Sequence, residues 1–309
     1  MHKNLFDKRL SCPTCGSEKN ESIYSASFSE KDLKDYLVKA YGQPNQQLIA
    51  KIEYSLLKCQ DCELIFQEYV PTSELMSQIY GTWTNTEEKF QNYGISYYSI
   101  YSQDILQILA YLDKVPTSVK VLDFGMGWGR WALMAKAFGC DVYGVEISSQ
   151  CIQYAERNGI KVISWEDISS YKFDLIHTDQ VFEHLAEPLK VLNYLKQSLK
   201  PDGVIKICVP NSFGIRYRLN RMDWSAPKGS LKSLNPVAPL EHINCFYRKS
   251  MLELTRKVNL LEVKIPMRIQ YQYTNVWDTP KRALRNLIMP IYRNILGLQN
   301  YYIFKHSKL

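Results

Sequence analysis

The chain has 309 residues, of which 46% are hydrophobic and 22% are charged. These proportions are those of an ordinary globular protein, and they exclude a disordered or fibrous chain. The first residues lack the apolar core of a secretory signal, and no uninterrupted apolar run is long enough to cross a bilayer, so we expect a cytoplasmic protein.

The net charge of +7 is concentrated near the end of the chain. From residue 266 onward seven Lys and Arg residues stand against a single acid, Asp278, which leaves the first 265 residues nearly neutral. A protein that follows a phosphate backbone needs its cations spread along one face. We therefore expect no nucleic-acid partner.

Two Cys-x-x-Cys turns lie near the start of the chain. Cys12 and Cys15 belong to CPTCG, and Cys59 and Cys62 belong to CQDC, with 43 residues between the two pairs. Two such turns brought together supply the four thiolates of a closed, tetrahedral zinc site. Two reduced pairs in a loop-rich region are the alternative. A disulfide is disfavoured because nothing indicates secretion, and a redox site needs only one pair.

Residues 1–80 are predicted to form the zinc-binding module. They include a charged helical stretch, SEKDLKDYLVKAY, but too little apolar content for an independent core. A structural zinc ion supplies about 10 kcal/mol of folding free energy, which would compensate for the small core. Residues 81–117 are predicted to form connecting helices that cover a ligand, with a helix over 96–113 that carries Tyr98.

From residue 118 to 309 strand and helix patterns alternate. The segments VKVLDFG, DVYGVEIS, KVISWEDI, FDLIHTDQ, VIKICVP and NYYIFKHS read as strands, with helical stretches between most of them. This order predicts an α/β fold with a doubly wound, mostly parallel sheet. Ligands of such folds bind beyond the carboxyl ends of the strands.

The turn after the first of these strands is rich in glycine. Gly125, Gly127 and Gly129 allow a tight turn that a ligand can approach without meeting a Cβ atom. Glu146 ends the next strand, 23 residues after Asp123, where an acid accepts both hydroxyls of a ribose. Arg130 stands where the dinucleotide fingerprint needs glycine, which disfavours NAD.

These segments resemble the class I S-adenosylmethionine-dependent methyltransferases. VLDFGMGWGR is similar to their first motif, VYGVEIS to their second-strand acid, and WEDI to the residues that contact adenine. The resemblance implies a doubly wound, seven-stranded and mostly parallel sheet, and S-adenosylmethionine as cofactor. The residues it assigns to cofactor binding are Asp123, Gly125, Gly127, Gly129, Glu146, Ile147, Asp167, Ile168, Asp179 and Gln180.

A Cys-x-x-Cys module ahead of this fold is similar to the sugar methyltransferases of deoxysugar and surface-polysaccharide pathways. In that group a Glu-His pair after the fifth strand is linked to proton removal, and PLEHINCFY places Glu241 and His242 at the matching position. We predict His242 as the catalytic base, oriented by Glu241, with His184 as a further candidate. The alternatives are that these histidines only position the substrate, cap a helix or pack.

Residues 211–240 are predicted to form a lid over the substrate. Its cations Arg216, Arg218 and Arg221 suit a diphosphate, while Tyr217 and Trp224 suit stacking on a base or sugar. A solvated charged loop is the alternative.

Residues 279–297 are predicted to form an amphipathic helix. Its apolar face combines Leu284, Leu287, Ile288, Ile291 and Ile295, and its charge comes from Lys281, Arg282, Arg285 and Arg293. The pattern is compatible with peripheral contact to an anionic membrane, although a helix packed on the core between the last two strands is favoured.

The sequence thus predicts methyl transfer to a sugar, nucleotide-sugar or glycan hydroxyl. RNA methylation guided by the zinc module and a non-catalytic zinc-ribbon scaffold are the alternatives. The near-neutral first 265 residues argue against RNA. The intact glycine turn and Glu146 argue against a scaffold.

Overall fold

The computed structural model describes residues 5–42, 49, 52–79, 94–274, 280–292 and 301–307. The chain divides into two compact units. The first unit combines Met1–Lys89, Phe182–Leu189 and Pro210–Leu254, and the second combines Phe90–Val181, Lys190–Val209 and Thr255–Leu309. This division differs from the predicted boundaries at 80 and 117, because two later pieces of chain share a unit with the N-terminal segment.

The strands in chain order are β1 (Phe6–Lys8), β2 (Asn20–Ser27), β3 (Glu53–Cys59), β4 (Ile65–Gln67), β5 (Tyr69–Pro71), β6 (Lys120–Phe124), β7 (Asp141–Val145), β8 (Lys161–Val162), β9 (Phe173–Asp179), β10 (Leu199–Cys208), β11 (Asn244–Cys245), β12 (Leu260–Val263) and β13 (Tyr301–His306). The α-helices are α1 (Lys31–Tyr41), α2 (Ser73–Gln78), α3 (Ile95–Leu112), α4 (Arg130–Ala137), α5 (Ser149–Arg157), α6 (Pro188–Gln197), α7 (Ile215–Leu219), α8 (Arg248–Lys257), α9 (Met267–Gln272) and α10 (Pro280–Ile291).

The second unit contains the predicted seven-stranded sheet, in the order β12-β13-β10-β9-β6-β7-β8. β13 runs in the direction opposite to that of the other six strands of this sheet, and all pairs without β13 are parallel. Asp123 of β6 lies opposite Gly144 of β7 and His177 of β9. The carboxyl ends of these three strands therefore meet at one edge, where ligands of doubly wound sheets bind.

The third strand of this sheet is shorter than the sequence pattern predicts. β8 ends at Val162, and Glu166–Ser170 form a 3₁₀ helix instead. The Ser164 hydroxyl accepts a hydrogen bond from the Asp167 amide and donates one to the Asp167 carboxylate. Such local bonds between side chain and backbone compete with strand pairing. Asp167 consequently lies in a turn and not at a strand end.

The first unit is built around a four-stranded sheet in the order β11-β4-β3-β2, beside the pair β1-β5. Its fourth strand, β11, comes from a distant part of the sequence and pairs antiparallel with β4. The core joins apolar residues of the N-terminal segment to residues of the predicted lid. The lid residues buried in this core are Ile215, Leu219, Trp224, Leu234, Val237 and Leu240.

The prediction of residues 211–240 as a substrate lid is therefore wrong for much of this segment. The amphipathic helix α1 turns Leu33, Leu37 and Tyr41 inward, and that apolar face needs a partner. The residues after β10 supply it, so the module has more core than its first 80 residues alone provide.

The apolar face of α10 is exposed, which contradicts the favoured expectation of a core-packed helix. Leu284, Leu287, Ile288 and Ile291 are between 42% and 61% exposed. Ile295, Arg293 and the side chains of Lys281, Arg282 and Arg285 lie outside the described residues. None of the helices in the described ranges is both long and apolar enough to cross a bilayer.

Candidate active site

The turn between β6 and α4 leaves space for a ligand. Gly125, Gly127 and Gly129 all have left-handed backbone, with φ of 71°, 52° and 66°. A Cβ atom on Gly125 would lie 2.5 Å from the Val181 Cγ2 atom, so packing requires glycine there. A Cβ atom on Gly127 would meet nothing within 4 Å. Its backbone therefore faces open space, as a cofactor-binding turn requires.

Glu146 directly follows β7 beside this turn, and its carboxylate is held by three backbone amides. Oε2 accepts a hydrogen bond from Gly127 at 2.8 Å, while Oε1 accepts from Ile147 at 2.8 Å and Ser148 at 2.9 Å. These bonds occupy three of the roughly four lone-pair positions of a carboxylate. If a ligand offered two hydroxyls, one would donate to the fourth lone-pair position of the Glu146 carboxylate. The other would share Oε2 with the Gly127 amide or displace that amide. The Ile147 side chain is 82% exposed and offers apolar surface to a flat ring.

Asp123 has a different environment from the one the sequence suggests. Its carboxylate is buried and lies 2.9 Å from the His177 Nδ1 atom, so it is not presented to a ligand. The His177 ring stacks on Trp131, with ring centroids 3.8 Å apart. Trp131 Nε1 donates to Asp104 at 2.9 Å, and Asp104 pairs with the buried Lys206. This network below the glycine turn joins α3 and α4 to three strands.

Sequence reasoning missed Asp104, His177 and Lys206. His177 and Lys206 stand within apolar strands, which is the one signal that marks them, because a polar residue buried in a central strand needs a partner. Burial on its own raises the pKa of Asp104, but the Lys206 charge and hydrogen bond outweigh it and hold the pKa below 3.8. Its stabilising contribution is therefore complete above that pH and is lost as the pH falls further.

We expect Asp104→Asn to lower the free energy of unfolding by about 3 to 5 kcal/mol, because it leaves the buried Lys206 ammonium without its counter-charge. The matched control is Asp202→Asn. It removes an exposed carboxylate 2.6 Å from Lys114 and should cost less than about 1 kcal/mol. Denaturant unfolding of both variants measures the difference. Equal losses of unfolding free energy would show that the buried Asp104–Lys206 pair stabilises the fold no more than the exposed Asp202–Lys114 pair.

The remaining residues assigned to the cofactor differ in accessibility. Asp179 and Gln180 are exposed at the carboxyl end of β9, and Gln180 has left-handed backbone with φ of 57°. Asp167 is exposed in its 3₁₀ turn. The Ile168 side chain is completely buried, so only the backbone of this residue could contact a cofactor, and its assignment stays a prediction.

The four N-terminal cysteines lie together in the first unit. All four sulfur atoms are within 4.8 Å of one another, with Cys12 and Cys62 as well as Cys15 and Cys59 separated by 3.5 Å. Zinc–sulfur bonds of about 2.3 Å place tetrahedral thiolates about 3.8 Å apart. The cluster therefore has dimensions that fit a four-thiolate zinc ion.

A second cluster in the first unit contains Glu183, His184 and His242. One ligand atom from each lies within 4.8 Å of the others. The two imidazole rings meet edge to face, with centroids 4.8 Å apart, and His184 Nε2 is 3.9 Å from the Glu183 carboxylate. The structure thus brings the two predicted histidines together and adds Glu183. Its place before His184 in the FEHL segment was the available signal.

His242 is oriented by a carbonyl group. Its Nδ1 contacts the Asn235 carbonyl oxygen, and since a carbonyl only accepts, Nδ1 carries the proton. In the neutral ring the lone pair is then on Nε2. Glu241 was predicted to orient this ring, but the partner of Nδ1 is the Asn235 carbonyl and not the Glu241 carboxylate. Glu241 lies near Tyr36, where its charge adds to the effect of burial in raising the pKa of that phenol.

A buried glutamine positions the segment that carries His242. The Gln67 side-chain amide donates to the carbonyls of Ala238 and His242, at 3.0 and 3.2 Å, and accepts from the Leu240 amide at 3.3 Å. Because Gln67 belongs to β4, the N-terminal sheet fixes the candidate base.

The family model described as a methyltransferase domain matches residues 96–263, more than half of the chain. This protein belongs to that methyltransferase domain family. The matched range includes the glycine turn, Glu146 and the Glu183–His184–His242 cluster.

Curated relatives of this methyltransferase domain act on different acceptors. A ubiquinone biosynthesis O-methyltransferase of Actinobacillus pleuropneumoniae serotype 5b (strain L20) is 28% identical over 149 residues, 40% of this chain and 62% of the relative. A tRNA 5-carboxymethoxyuridine methyltransferase of Escherichia coli (strain K12) is 28% identical over 156 residues, 44% of this chain and 59% of the relative. The chain thus spans about three fifths of the length of these relatives.

A solved structure is also similar to this methyltransferase domain. The plantazolicin methyltransferase BpumL in complex with SAH has a TM-score of 0.46 and 16% sequence identity, over 72% of this chain and 89% of that chain.

Arg218 and Trp224, which were predicted to bind the substrate, are buried inside the first unit. The Arg218 guanidinium is buried and donates to the carbonyls of Asn211, Phe213 and Ser233. Trp224 is buried against the rings of Tyr36 and Tyr54. Neither is available to a diphosphate or a base, and both predictions are wrong.

Three other predicted substrate residues remain exposed in the first unit. Arg216, Tyr217 and Arg221 lie on one short stretch, and the Arg221 guanidinium sits over the Tyr217 ring at 4.7 Å from its centroid. Tyr98 is partly exposed on α3 of the second unit.

Proposed function

We propose that this protein transfers the methyl group of S-adenosylmethionine to a hydroxyl group of a small molecule. The observation that carries the proposal is the Glu146 carboxylate bonded to Gly127 of the open glycine turn. This arrangement supplies an acceptor for ribose hydroxyls beside a backbone that a ligand can approach. The cofactor supplies an electrophilic sulfonium methyl group.

The residues that would hold the cofactor are all in the second unit. The Gly125–Gly129 turn would lie against its amino-acid portion, Glu146 would accept from its ribose, and Ile147 would pack on its adenine. Asp179 and Gln180 are exposed at the end of β9 and suit the end of the molecule that carries the methyl group.

His242 is the proposed general base. With Nδ1 bonded to the Asn235 carbonyl, Nε2 is the nitrogen that accepts a proton. With S-adenosylmethionine bound as the methyl donor, Nε2 of His242 would take the proton of the acceptor hydroxyl as that oxygen becomes methylated.

A phosphorylated sugar or nucleotide sugar is the acceptor class we favour. Arg216 and Arg221 offer guanidinium groups to phosphate oxygens, and the exposed Tyr217 ring between them in sequence offers a stacking surface. An arginine guanidinium can donate two parallel hydrogen bonds to one phosphate, and aromatic rings pack on sugars and bases. These groups belong to the unit that also contains His242.

RNA is the second candidate acceptor, because a tRNA methyltransferase is among the relatives. Native mass spectrometry of the protein with S-adenosylmethionine, followed by a panel of nucleotide sugars and short RNAs, separates the two. Retention and methylation of a nucleotide sugar supports the sugar acceptor, and retention of RNA alone overturns it. Absence of cofactor binding under every condition would leave the scaffold alternative.

We expect His242→Ala to lower turnover at least about a hundredfold while S-adenosylmethionine affinity stays unchanged, because general-base catalysis contributes 10²- to 10⁴-fold. Isothermal titration measures the affinity, and transfer of a labelled methyl group measures turnover. The matched control is His306→Gln, on β13 of the other unit, which should retain turnover. Normal turnover in His242→Ala would overturn the assignment.

We further propose that Cys12, Cys15, Cys59 and Cys62 bind one structural zinc ion. The four buried or half-buried sulfur atoms fit a tetrahedral ion with all positions taken by protein, so this site stabilises the fold and takes no part in the reaction.

A further inference from the structure

We propose that Glu183, His184 and His242 form a second metal site, for a divalent cation such as Mn²⁺, Fe²⁺ or Co²⁺. The three side chains come from two pieces of chain far apart in sequence, and one ligand atom of each lies within 4.8 Å of the others. A carboxylate with two imidazoles is a donor set that suits these ions in octahedral geometry. The site differs in chemistry from the four-cysteine cluster, which presents only sulfur.

The burial of Glu183 is the first argument. Its side chain is completely buried, and His184 Nε2 lies 3.9 Å from its carboxylate. A carboxylate in a low-dielectric interior is costly unless a cation compensates its charge. A divalent ion bound by the carboxylate and the two rings would add to the compensation of that charge. At metal–ligand distances of about 2.1 Å, adjacent ligands of an octahedral ion are about 3.0 Å apart, so side-chain rotations must shorten the separations by up to about 1.8 Å.

The orientation of His242 is the second argument. A metal-binding histidine commonly donates its other ring N–H to a carbonyl or carboxylate, which fixes the tautomer. His242 makes this bond from Nδ1 to the Asn235 carbonyl, and so its Nε2 lone pair is the one offered to an ion.

The support behind His184 is the third argument. Asn244 donates to the carbonyls of Phe182 and Leu185, at 3.1 and 2.7 Å, on either side of the Glu183–His184 pair. Arg9 contacts the carbonyls of Leu185 and Ala186 and donates to the Asn244 side chain at 2.8 Å. Burial lowers the pKa of Arg9 to about 10. The turn is thus braced from the N-terminal segment, as metal ligands require.

Three protein ligands leave up to three positions of an octahedral ion for water and an acceptor. An acceptor hydroxyl bound to the ion has a lowered pKa and loses its proton to solvent more easily. This consequence rests on the proposed function, whereas metal binding itself does not. The His242 Nε2 lone pair cannot bind the ion and take a proton at the same time. His242 is therefore the general base of the metal-free protein, and in the metal-bound protein the ion would replace that role by lowering the pKa of the acceptor hydroxyl.

The test uses the whole protein with its cysteine site loaded with zinc and no cofactor or acceptor present. Mn²⁺ is titrated in, and the free ion is measured by electron paramagnetic resonance. We expect one Mn²⁺ per chain, with affinity reduced at least about tenfold by Glu183→Gln and by His242→Gln. The matched control is Glu63→Gln, which removes an exposed carboxylate of the same unit that pairs with Lys249 and should not change Mn²⁺ affinity.

Co²⁺ provides a second measurement that does not depend on a variant folding. Co²⁺ bound to nitrogen and oxygen gives weak visible bands without thiolate charge-transfer absorption, and this is the expected spectrum. No Mn²⁺ binding to the wild-type protein, equal affinity in Glu183→Gln, or a thiolate-type Co²⁺ spectrum would each overturn the proposal. Absence of the metal would leave His242 as a general base, and failure of methyl transfer would leave the metal measurement intact.

Discussion

Glu146→Ala should lower the affinity for S-adenosylmethionine at least about a hundredfold. Hydrogen bonds to a charged group contribute about 1.5 to 3 kcal/mol each, and the ribose offers two hydroxyls to this carboxylate. Losing both corresponds to a factor of roughly 10² or more in the dissociation constant. The same substitution removes the acceptor for the Gly127 amide, so the turn itself loses its fixed position.

Isothermal titration with S-adenosylmethionine measures this effect. The matched control is Asp141→Asn, at the other end of the same strand, where the carboxylate pairs with Lys161 at 2.6 Å. That pair is far from the glycine turn along β7, so the control should bind the cofactor normally. Unchanged affinity in Glu146→Ala would remove the main support for the cofactor assignment.

Cys59→Ser should abolish zinc binding and unfold the first unit. Structural zinc contributes about 10 to 16 kcal/mol in small domains, which equals or exceeds the whole stability of a typical domain, about 5 to 15 kcal/mol. Cys59 ends β3, the strand that pairs with both β2 and β4. Loss of the ion there releases the sheet that holds Gln67 and, through Gln67, the His242 segment.

Metal analysis and thermal unfolding measure this second prediction. We expect one zinc ion per wild-type chain, none in Cys59→Ser, and an early unfolding transition that leaves the second unit folded. The matched control is Cys140→Ala, which removes a buried lone thiol of the second unit and should retain zinc. A zinc-free wild-type protein with the same unfolding temperature as the zinc-loaded one would contradict the proposal of a structural ion.

The composition of the first unit connects the zinc prediction with the role proposed for His242. The N-terminal segment, the Phe182–Leu189 turn and residues 210–254 share one unit, and its apolar core contains residues from the first and last of these pieces. The candidate base is thereby attached to the cysteine-containing sheet. Loss of zinc should therefore lower turnover as strongly as loss of His242, while cofactor binding by the second unit should persist.

Local sequence patterns were sufficient to predict the sheet, the glycine turn, the acid after the second strand and the two cysteine pairs. These features are local: each depends on alternating apolar runs, on the conformational freedom of glycine or on a fixed Cys-x-x-Cys spacing, all of which act over a few residues.

Residues whose partners are distant in sequence could be assigned a role only after the folded arrangement was known. Trp224 and Arg218 looked like substrate-binding groups because an aromatic ring or a guanidinium suits a ligand as well as a core, and burial alone separates the two. Glu183 became part of a site because β4 pairs with β11 and brings His242 to it. Long-range pairing depends on the free energy of the whole core and not on any local pattern, which is why the sequence did not reveal it.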